Sequence, residues 1–208
     1  MGRQENGQGQ FFYAFDLDEV VPPDHLVRQI DGLLGYLTQT RNPIRNRVIL
    51  LLSVKAGLRA KEIANLTWQM VTDASGEIDN KINLQDRASK GKRSGRVIPI
   101  NRDLHQALSE LKSAAITSSN VIATERSAHT TPQAVVNLFA QWFRTVGLSG
   151  CSSHSGRRTF ITNAARKIST VGGSLRDIQM LAGHSALSTT QRYIDSDATA
   201  QRRIVELV

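Results

Sequence analysis

Apolar residues recur every three to four positions along most of the chain beyond residue 42, which is the spacing of one face of an α-helix. The first such helix carries Ile44, Val48, Leu51 and Leu52, and it is predicted to end near Gly57. The same spacing and the local cap signals predict further helices over residues 59–66, 101–111, 131–146, 153–167, 174–182 and from 188 onward. The last of these is predicted to begin with Ser188 as its cap and to carry Tyr193 in its second turn. Most of the chain is therefore predicted to be helical.

Two short stretches interrupt the helical pattern. Residues 81–85 and 96–100 have the composition of β-strands, and they flank RASKGKRSG, a turn rich in Gly and Lys. This arrangement predicts a β-hairpin. The predicted fold class is mainly α with a small antiparallel β-sheet.

The first 36 residues differ in composition and in hydrophobic pattern from the rest of the chain. Residues 1–10 are polar and rich in Gly and Gln, which is typical of disorder. Pro22 and Pro23 break the next segment, and Asp24 is a candidate cap for a short helix through Leu34. We expect a partly disordered N-terminal extension over residues 1–36 and one folded domain over residues 37–208. On that division, deleting residues 1–36 leaves folding unchanged.

Charge points to a polyanionic partner. The 208-residue chain has a formal net charge of +8, and the isoelectric point is about 10.1. Residues 1–50 contain five Lys or Arg and six Asp or Glu, so the basic excess lies in the remainder. Nucleic acid is the usual partner of such a surface, although many basic proteins bind none. A single cysteine, Cys151, and the lack of a long apolar run predict a cytoplasmic protein without an internal disulfide.

Several basic and polar residues lie at positions where helices begin or end. Taken one at a time, each has an ordinary explanation, such as a solvated arginine, a lysine in a surface turn or a tyrosine in half-buried packing. Their combination and order along the chain are what call for a chemical explanation. The set consists of Arg59 after the predicted turn at Gly57, Lys90 and Lys92 in the hairpin turn, His154 and Arg157 three residues apart, His184 after Gly183, and Tyr193.

Four segments carry these residues in the order found in one enzyme family. Gly57–Trp68 (GLRAKEIANLTW), Ser89–Ile100 (SKGKRSGRVIPI), His154–Phe160 (HSGRRTF) and Leu181–Tyr193 (LAGHSALSTTQRY) resemble the motifs of tyrosine recombinases, also called the phage integrase family. The resemblance covers roughly residues 42–208. Because only about 40 residues precede it, the chain resembles the short members that consist of a catalytic domain alone.

The resemblance implies the catalytic fold of DNA breaking and rejoining enzymes. The implied activity is that of a site-specific recombinase or integrase that cuts and rejoins double-stranded DNA through a 3′-phosphotyrosyl link on Tyr193. Arg59 and Arg157 would bind the scissile phosphate, because a guanidinium matches two phosphate oxygens at once. His154 would accept the proton of the attacking phenol. Neither a metal ion nor another cofactor is implied.

The remaining roles also come from the resemblance. His184 would donate a hydrogen bond to the phosphate, and the lysine of the hairpin would protonate the leaving 5′-oxygen. Lys90 is favoured for that lysine because it follows the strand most directly, and Lys92 is the alternative. Glu62 would balance charge. The expected contacts to the DNA backbone are Lys92, Arg93, Arg96 and Arg158. Family members act as tetramers on DNA, so a homo-oligomer is expected.

Two other functions use the same residues. A type IB topoisomerase-like enzyme would nick and reseal one duplex with the same basic set and tyrosine. A relic or regulator would bind DNA without a clamp domain and without catalysis. In addition, Phe15–Asp31 (FDLDEVVPPDHLVRQID) weakly resembles the start of certain insertion-sequence transposases.

Overall fold

The computed structural model describes residues 26–85, 95–114, 118–124, 127–193 and 205. They form a mainly helical fold with one two-stranded antiparallel sheet, as predicted. None of the helices in these ranges is long and apolar enough to cross a bilayer. In chain order the elements are α1 (Leu26–Leu37), α2 (Pro43–Val54), α3 (Ala60–Ala64), β1 (Lys81–Leu84), β2 (Arg96–Pro99), α4 (Arg102–Ser113), α5 (Pro132–Thr145), α6 (Ser155–Lys167), α7 (Leu175–Ala182) and α8 (Leu187–Gln191).

Helix α2 is the centre of the main hydrophobic core. Its second half is buried on all sides, because α1, α3, α4 and α6 all pack against it. This explains why its sequence is an almost continuous apolar run rather than a stripe on one face. Helix α5 completes the core with three aromatic side chains, where the Phe139 ring packs against those of Trp142 and Phe143.

Helix starts follow the local cap signals at three places. The side chain of Asn101 accepts a hydrogen bond from Leu104 N at 3.0 Å, and Thr131 accepts one from Ala134 N at 3.1 Å. Ser174 and Asp177 form the reciprocal bonds of a capping box. These caps satisfy backbone N–H groups that a helix start leaves without partners.

The start of α8 differs from the prediction. Its N-cap is Ala186 rather than Ser188, and the helix ends at Gln191. Tyr193 was expected in the second turn of this helix, but it lies just beyond the C-cap residue, Arg192. Its carbonyl accepts a hydrogen bond from the hydroxyl of Thr162 on α6 at 3.5 Å. The backbone N–H of Tyr193 donates to the carbonyl of Thr190 in α8, so contacts to both α6 and α8 hold the tyrosine.

The predicted hairpin is confirmed in its two strands. Lys81 pairs with Pro99 and Leu84 pairs with Arg96 in antiparallel register. Strand β1 buries Ile82 and Leu84. The turn between the strands, residues 86–94, lies outside the described residues.

Helix α1 lies across the domain boundary that we expected between residues 36 and 37. Its side chains Leu33 and Leu37 are fully buried in the main core, where α1 packs against α2 and α6. A truncation at residue 36 would cut this helix and remove Leu33 from the core. The burial of Leu33 argues against the expectation that residues 1–36 can be deleted without effect on folding.

A second, smaller hydrophobic cluster lies under the last helices. Ile161 of α6 packs with Ile178 and Ala182 of α7, and the rings of Phe160 and Tyr193 pack against them. Phe160 also closes the gap to the main core, because a Cβ atom on Gly57 would lie 2.5 Å from its ring. The two clusters thus meet at the turn after α2.

The burial of Leu33 predicts a large effect of shortening it. Leu33→Ala should lower the free energy of unfolding by about 2–5 kcal/mol, the usual cost of emptying a buried leucine site. Val171→Ala is the control, because Val171 is 77% exposed and its substitution should change stability by less than about 0.5 kcal/mol. Urea denaturation of both variants measures the difference. A chain lacking residues 1–36 that unfolded at the wild-type urea concentration would contradict the role of α1.

Candidate active site

Arg157 lies in the first turn of α6 and is almost completely buried, with 3% of its surface exposed. Its Nη1 donates to the carbonyl of Gly57 at 2.5 Å, and its Nη2 donates to the carbonyl of Ala182 at 2.6 Å. Ala182 is the last residue of α7, where carbonyls lack partners in the helix, and Gly57 lies in the turn after α2. Arg157 therefore joins the turn after α2 to the end of α7.

His184 lies directly after α7, behind Gly183, whose left-handed backbone (φ +63°) ends the helix. The Nε2 atom of His184 is 3.1 Å from Nη2 of Arg157, and its Nδ1 atom is 3.0 Å from the hydroxyl of Thr190. Because a guanidinium only donates hydrogen bonds, Nε2 must accept and the ring proton must lie on Nδ1. Thr190 is thus the partner that receives the imidazole N–H.

The imidazole of His184 is neutral at physiological pH. Burial, followed by the positive charges of Arg157, Arg59 and Arg96, lowers the pKa of His184 from 6.5 to about 4. Each of these causes disfavours the charged ring. A neutral ring with its lone pair on Nε2 is also the form that the hydrogen bond from Arg157 requires.

Tyr193 lies beside His184. The two rings are nearly parallel, at an interplanar angle of 18°, and their centroids are 5.6 Å apart. The tyrosine is half-buried, and its backbone N–H donates to the carbonyl of Thr190 at 3.0 Å. The structure therefore brings together Tyr193, His184 and Arg157, which the sequence had placed only by motif.

Arg59 precedes α3 and is anchored by Glu62, three residues later. The backbone N–H and the Nη1 atom of Arg59 both donate to the carboxylate of Glu62 at 2.8 Å. The side chain of Arg59 remains 28% exposed, and its Nε and Nη2 atoms make no hydrogen bond to any residue in the described ranges. Within the described ranges, one edge of the Arg59 guanidinium is therefore left without a hydrogen-bond partner.

Arg96 does not lie where we expected it. We expected a surface side chain in contact with the DNA backbone, but the side chain of Arg96 is only 6% exposed and points toward Glu62. Nη1 and Nη2 donate to the two oxygens of Glu62 at 2.8 and 3.0 Å, and Nε donates to the carbonyl of Leu181 at 2.9 Å. With all three nitrogens engaged inside the protein, Arg96 is not placed to contact the DNA backbone.

Glu62 is a fully buried carboxylate between two arginines. Burial alone would raise the pKa of Glu62, but the hydrogen bonds and charges of Arg96 and Arg59 outweigh it and hold the pKa below its ordinary value. The carboxylate is therefore ionised at neutral pH. The sequence had indicated a charge-balancing role for Glu62 but not its second partner.

The other predicted residues lie at the edge of the described site or outside it. His154 is the residue before α6 and is exposed, as is Arg158. No side-chain hydrogen bond in the described ranges joins His154 to Arg157, His184 or Tyr193. Lys90, Lys92 and Arg93 lie outside the described residues.

The described site carries an excess of positive charge. Burial, then the charge of Arg59, lowers the pKa of Arg157 to about 10, so this arginine stays protonated at neutral pH. The guanidinium groups of Arg59 and Arg96 pair with the carboxylate of Glu62, and the charge of Arg157 adds a third cation to the described site. Such a site suits an anion, and phosphate matches the geometry of the free edge of Arg59.

Comparison with known proteins assigns the family. The sequence profile of the phage integrase family matches residues 26–200. The chain belongs to this family. Tyrosine recombinase XerA of Pyrococcus horikoshii is 32% identical over 167 residues, which cover 78% of this chain and 54% of that protein. Tyrosine recombinase XerC of Syntrophus aciditrophicus is 28% identical over 162 residues, covering 72% of this chain and 48% of that protein.

The integrase-family chain spans about half the length of these curated relatives. Solved structures share its fold. The XerH site-specific recombinase bound to difH substrate in a pre-cleavage complex superposes with a TM-score of 0.68 at 18% identity, covering 97% of this chain and 58% of that one. The XerA recombinase superposes with a TM-score of 0.65 at 19% identity, covering 86% and 61%.

The lowered pKa of His184 predicts how stability depends on pH. Between pH 6.5 and about 4 the unfolded chain binds a proton at this position that the folded chain does not bind. Acidification through this window should therefore destabilise the fold, and the loss should be complete below about pH 4. His184→Gln lacks the titrating ring and should lose less stability over the same window. Urea denaturation of both proteins at pH 7 and pH 4.5 measures this, and equal losses would contradict the assignment.

Proposed function

We propose that this integrase-family chain is a site-specific DNA recombinase or integrase that cuts and rejoins double-stranded DNA through a 3′-phosphotyrosyl intermediate. The observation that supports this best is the packing of the Tyr193 ring against His184, which is itself hydrogen-bonded to Arg157. This places a phenol beside an anion-binding group of guanidiniums. A nucleophile next to cations that bind a phosphate is the arrangement that transfer to tyrosine needs.

Arg59 would bind the scissile phosphate. Its free Nε and Nη2 atoms form one edge of the guanidinium, and that edge matches two phosphate oxygens. Glu62 holds the other side of the group through Nη1, so the free edge is oriented before DNA arrives. Donors fixed in advance stabilise the charge that develops on the non-bridging oxygens during attack.

Arg157 and His184 would complete the phosphate site together. Both Nη2 hydrogens of Arg157 are engaged, one by Ala182 and the other by Nε2 of His184. An incoming phosphate oxygen, as a better acceptor, would take the hydrogen that now points at His184. With its Nε2 released, His184 could carry the ring proton there and donate it to the phosphate, as the resemblance implies.

The chemical step would be attack of the Tyr193 oxygen on phosphorus. A bond forms between the phenol oxygen and phosphorus, and the bond from phosphorus to the 5′-oxygen breaks. His154 would accept the phenol proton, and Lys90, or Lys92 as the alternative, would protonate the leaving 5′-oxygen. The phosphodiester energy stays in the protein–DNA link, so reversal by a 5′-hydroxyl requires no ATP.

DNA is the proposed partner, and the cytoplasm is the proposed place of action. The structure of the Tn1549 transposon integrase contains a circular intermediate DNA, and the structure of the XerH recombinase contains its difH substrate. By analogy, Arg158, Lys92 and Arg93 would contact the DNA backbone, and a homotetramer would hold two duplexes.

An enzyme of the topoisomerase type would relax one duplex without strand transfer between two, and a DNA-binding relic would form no covalent link.

Tyr193→Phe tests the nucleophile. The variant keeps the ring that packs against His184 but lacks the attacking oxygen, so covalent attachment to DNA should be abolished while DNA affinity stays within about twofold. The assay uses a nicked suicide substrate carrying the flanking DNA and detects the adduct on a denaturing gel. Tyr36→Phe is the matched control, because Tyr36 lies on α1 against the main core. An adduct with Tyr193→Phe would show that another residue attacks.

Arg59→Lys tests the phosphate-binding edge. Lysine keeps the charge but offers one nitrogen in place of two aligned donors. The single-turnover rate of adduct formation should fall by about 10²-fold or more, the usual cost of losing a transition-state donor. Melting temperature should change little because Arg59 is partly exposed. Near-normal cleavage would remove Arg59 from the phosphate site.

A further inference from the structure

Arg96 lies at the first residue of β2, at the base of the hairpin, yet its side chain reaches two other elements. It contacts Glu62 of α3 through two hydrogen bonds and the last turn of α7 through the carbonyl of Leu181. The same carboxylate holds Arg59, and the same turn leads directly into His184. Arg96 is therefore connected to two phosphate-binding residues without being exposed itself.

Gly183 gives an independent indication that the position of Arg96 is built into the fold. A Cβ atom at residue 183 would lie 2.8 Å from Nη1 and 3.0 Å from Cδ of Arg96. The left-handed backbone at Gly183 and the close approach of the guanidinium thus exclude a side chain there. The position before His184 therefore requires glycine, because the Arg96 side chain occupies the space of a side chain there.

The shared carboxylate explains what Arg96 does for Arg59. Oε1 of Glu62 accepts from both arginines, and Arg96 takes Oε2 as well. Without Arg96, the buried carboxylate of Glu62 would have Arg59 as its one arginine partner, and it would draw further N–H groups of Arg59 into hydrogen bonds. The free Nε and Nη2 edge of Arg59 would then turn toward Glu62 and away from an incoming phosphate.

We propose that Arg96 is a positioning residue for the strand-cleavage reaction and not a contact to the DNA backbone. It engages Glu62 so that Arg59 keeps one edge for the scissile phosphate, and it fixes the end of α7 so that His184 stays beside Arg157. The proposal rests on the proposed function, since it concerns the rate of that reaction.

Arg96→Met removes every donor while keeping a long apolar side chain. At saturating DNA its single-turnover rate of adduct formation on the suicide substrate should fall by about 10²-fold, the size of effect expected when reacting groups are misplaced. Its dissociation constant for DNA should match that of Arg102→Met within about twofold. Arg102 is an exposed arginine on α4 and controls for the loss of one surface charge. A weaker affinity, with a salt dependence reduced by about one phosphate contact, would show instead that Arg96 binds DNA.

Glu62→Gln in the Arg96→Met background separates positioning from simple stabilisation. The amide has no charge to draw Arg59 away, so the double variant should cleave at least about tenfold faster than Arg96→Met alone. A role confined to stability would lower the melting temperature, and the second substitution would restore no activity. That result would overturn the proposal.

Arg96→Lys covers the case in which Arg96→Met does not fold. It keeps the charge but cannot reach both oxygens of Glu62 and the carbonyl of Leu181 at once, so the cleavage rate should still fall at unchanged affinity. A wild-type rate in Arg96→Lys would overturn the positioning role. If the wild-type chain itself forms no adduct, the proposed function fails and the proposal with it. If wild type and Arg96→Met form the adduct at equal rates, the positioning role of Arg96 is overturned while the proposed function stands.

Discussion

The buried guanidinium of Arg157 is the interaction on which the site depends. It reaches from α6 to the turn after α2, to the end of α7 and to the ring of His184. A charge so deeply buried is tolerated because two carbonyl oxygens and an imidazole nitrogen replace the water that it lost. Removing any of these acceptors would leave a donor without a partner. The two hydrophobic clusters are joined here by a polar contact as well as by packing.

The positive charge gathered around Arg157 then sets the state of its neighbours. Burial, reinforced by this charge, lowers the pKa of His184 and keeps its ring neutral, while the hydrogen bonds and charges of Arg96 and Arg59 lower the pKa of Glu62 and keep it ionised in spite of burial. The neutral imidazole can accept from Arg157, and the ionised carboxylate can orient Arg59. Protonation states, hydrogen bonds and backbone turns therefore agree with one another before any substrate is present, which is the meaning of a preorganised site.

The local features of this fold could be predicted from the sequence, while most contacts between residues far apart in the sequence could not. The caps at Asn101, Thr131 and Ser174 depend on residues a few positions apart, and the strands of the hairpin follow from composition. The pairing of Arg96 with Glu62 spans 34 positions, and nothing local in RVIPI distinguishes a buried arginine from a solvated one. A short helix ending near Leu34 was predicted, but its place in the main core was not, because the polar residues before it suggested an extension. The Ser188 cap was wrong because α8 begins earlier, at Leu187.

The excess of guanidinium over carboxylate has a thermodynamic consequence. In the described site the cations Arg59, Arg96 and Arg157 face one anion, Glu62, so part of their mutual repulsion is present in the folded chain without a ligand. A phosphate that enters relieves this repulsion, and it binds the folded chain rather than the unfolded one. By linkage, the free energy of binding is then added to the free energy of unfolding. For the DNA proposed as ligand, this linkage predicts that binding stabilises the folded chain against unfolding.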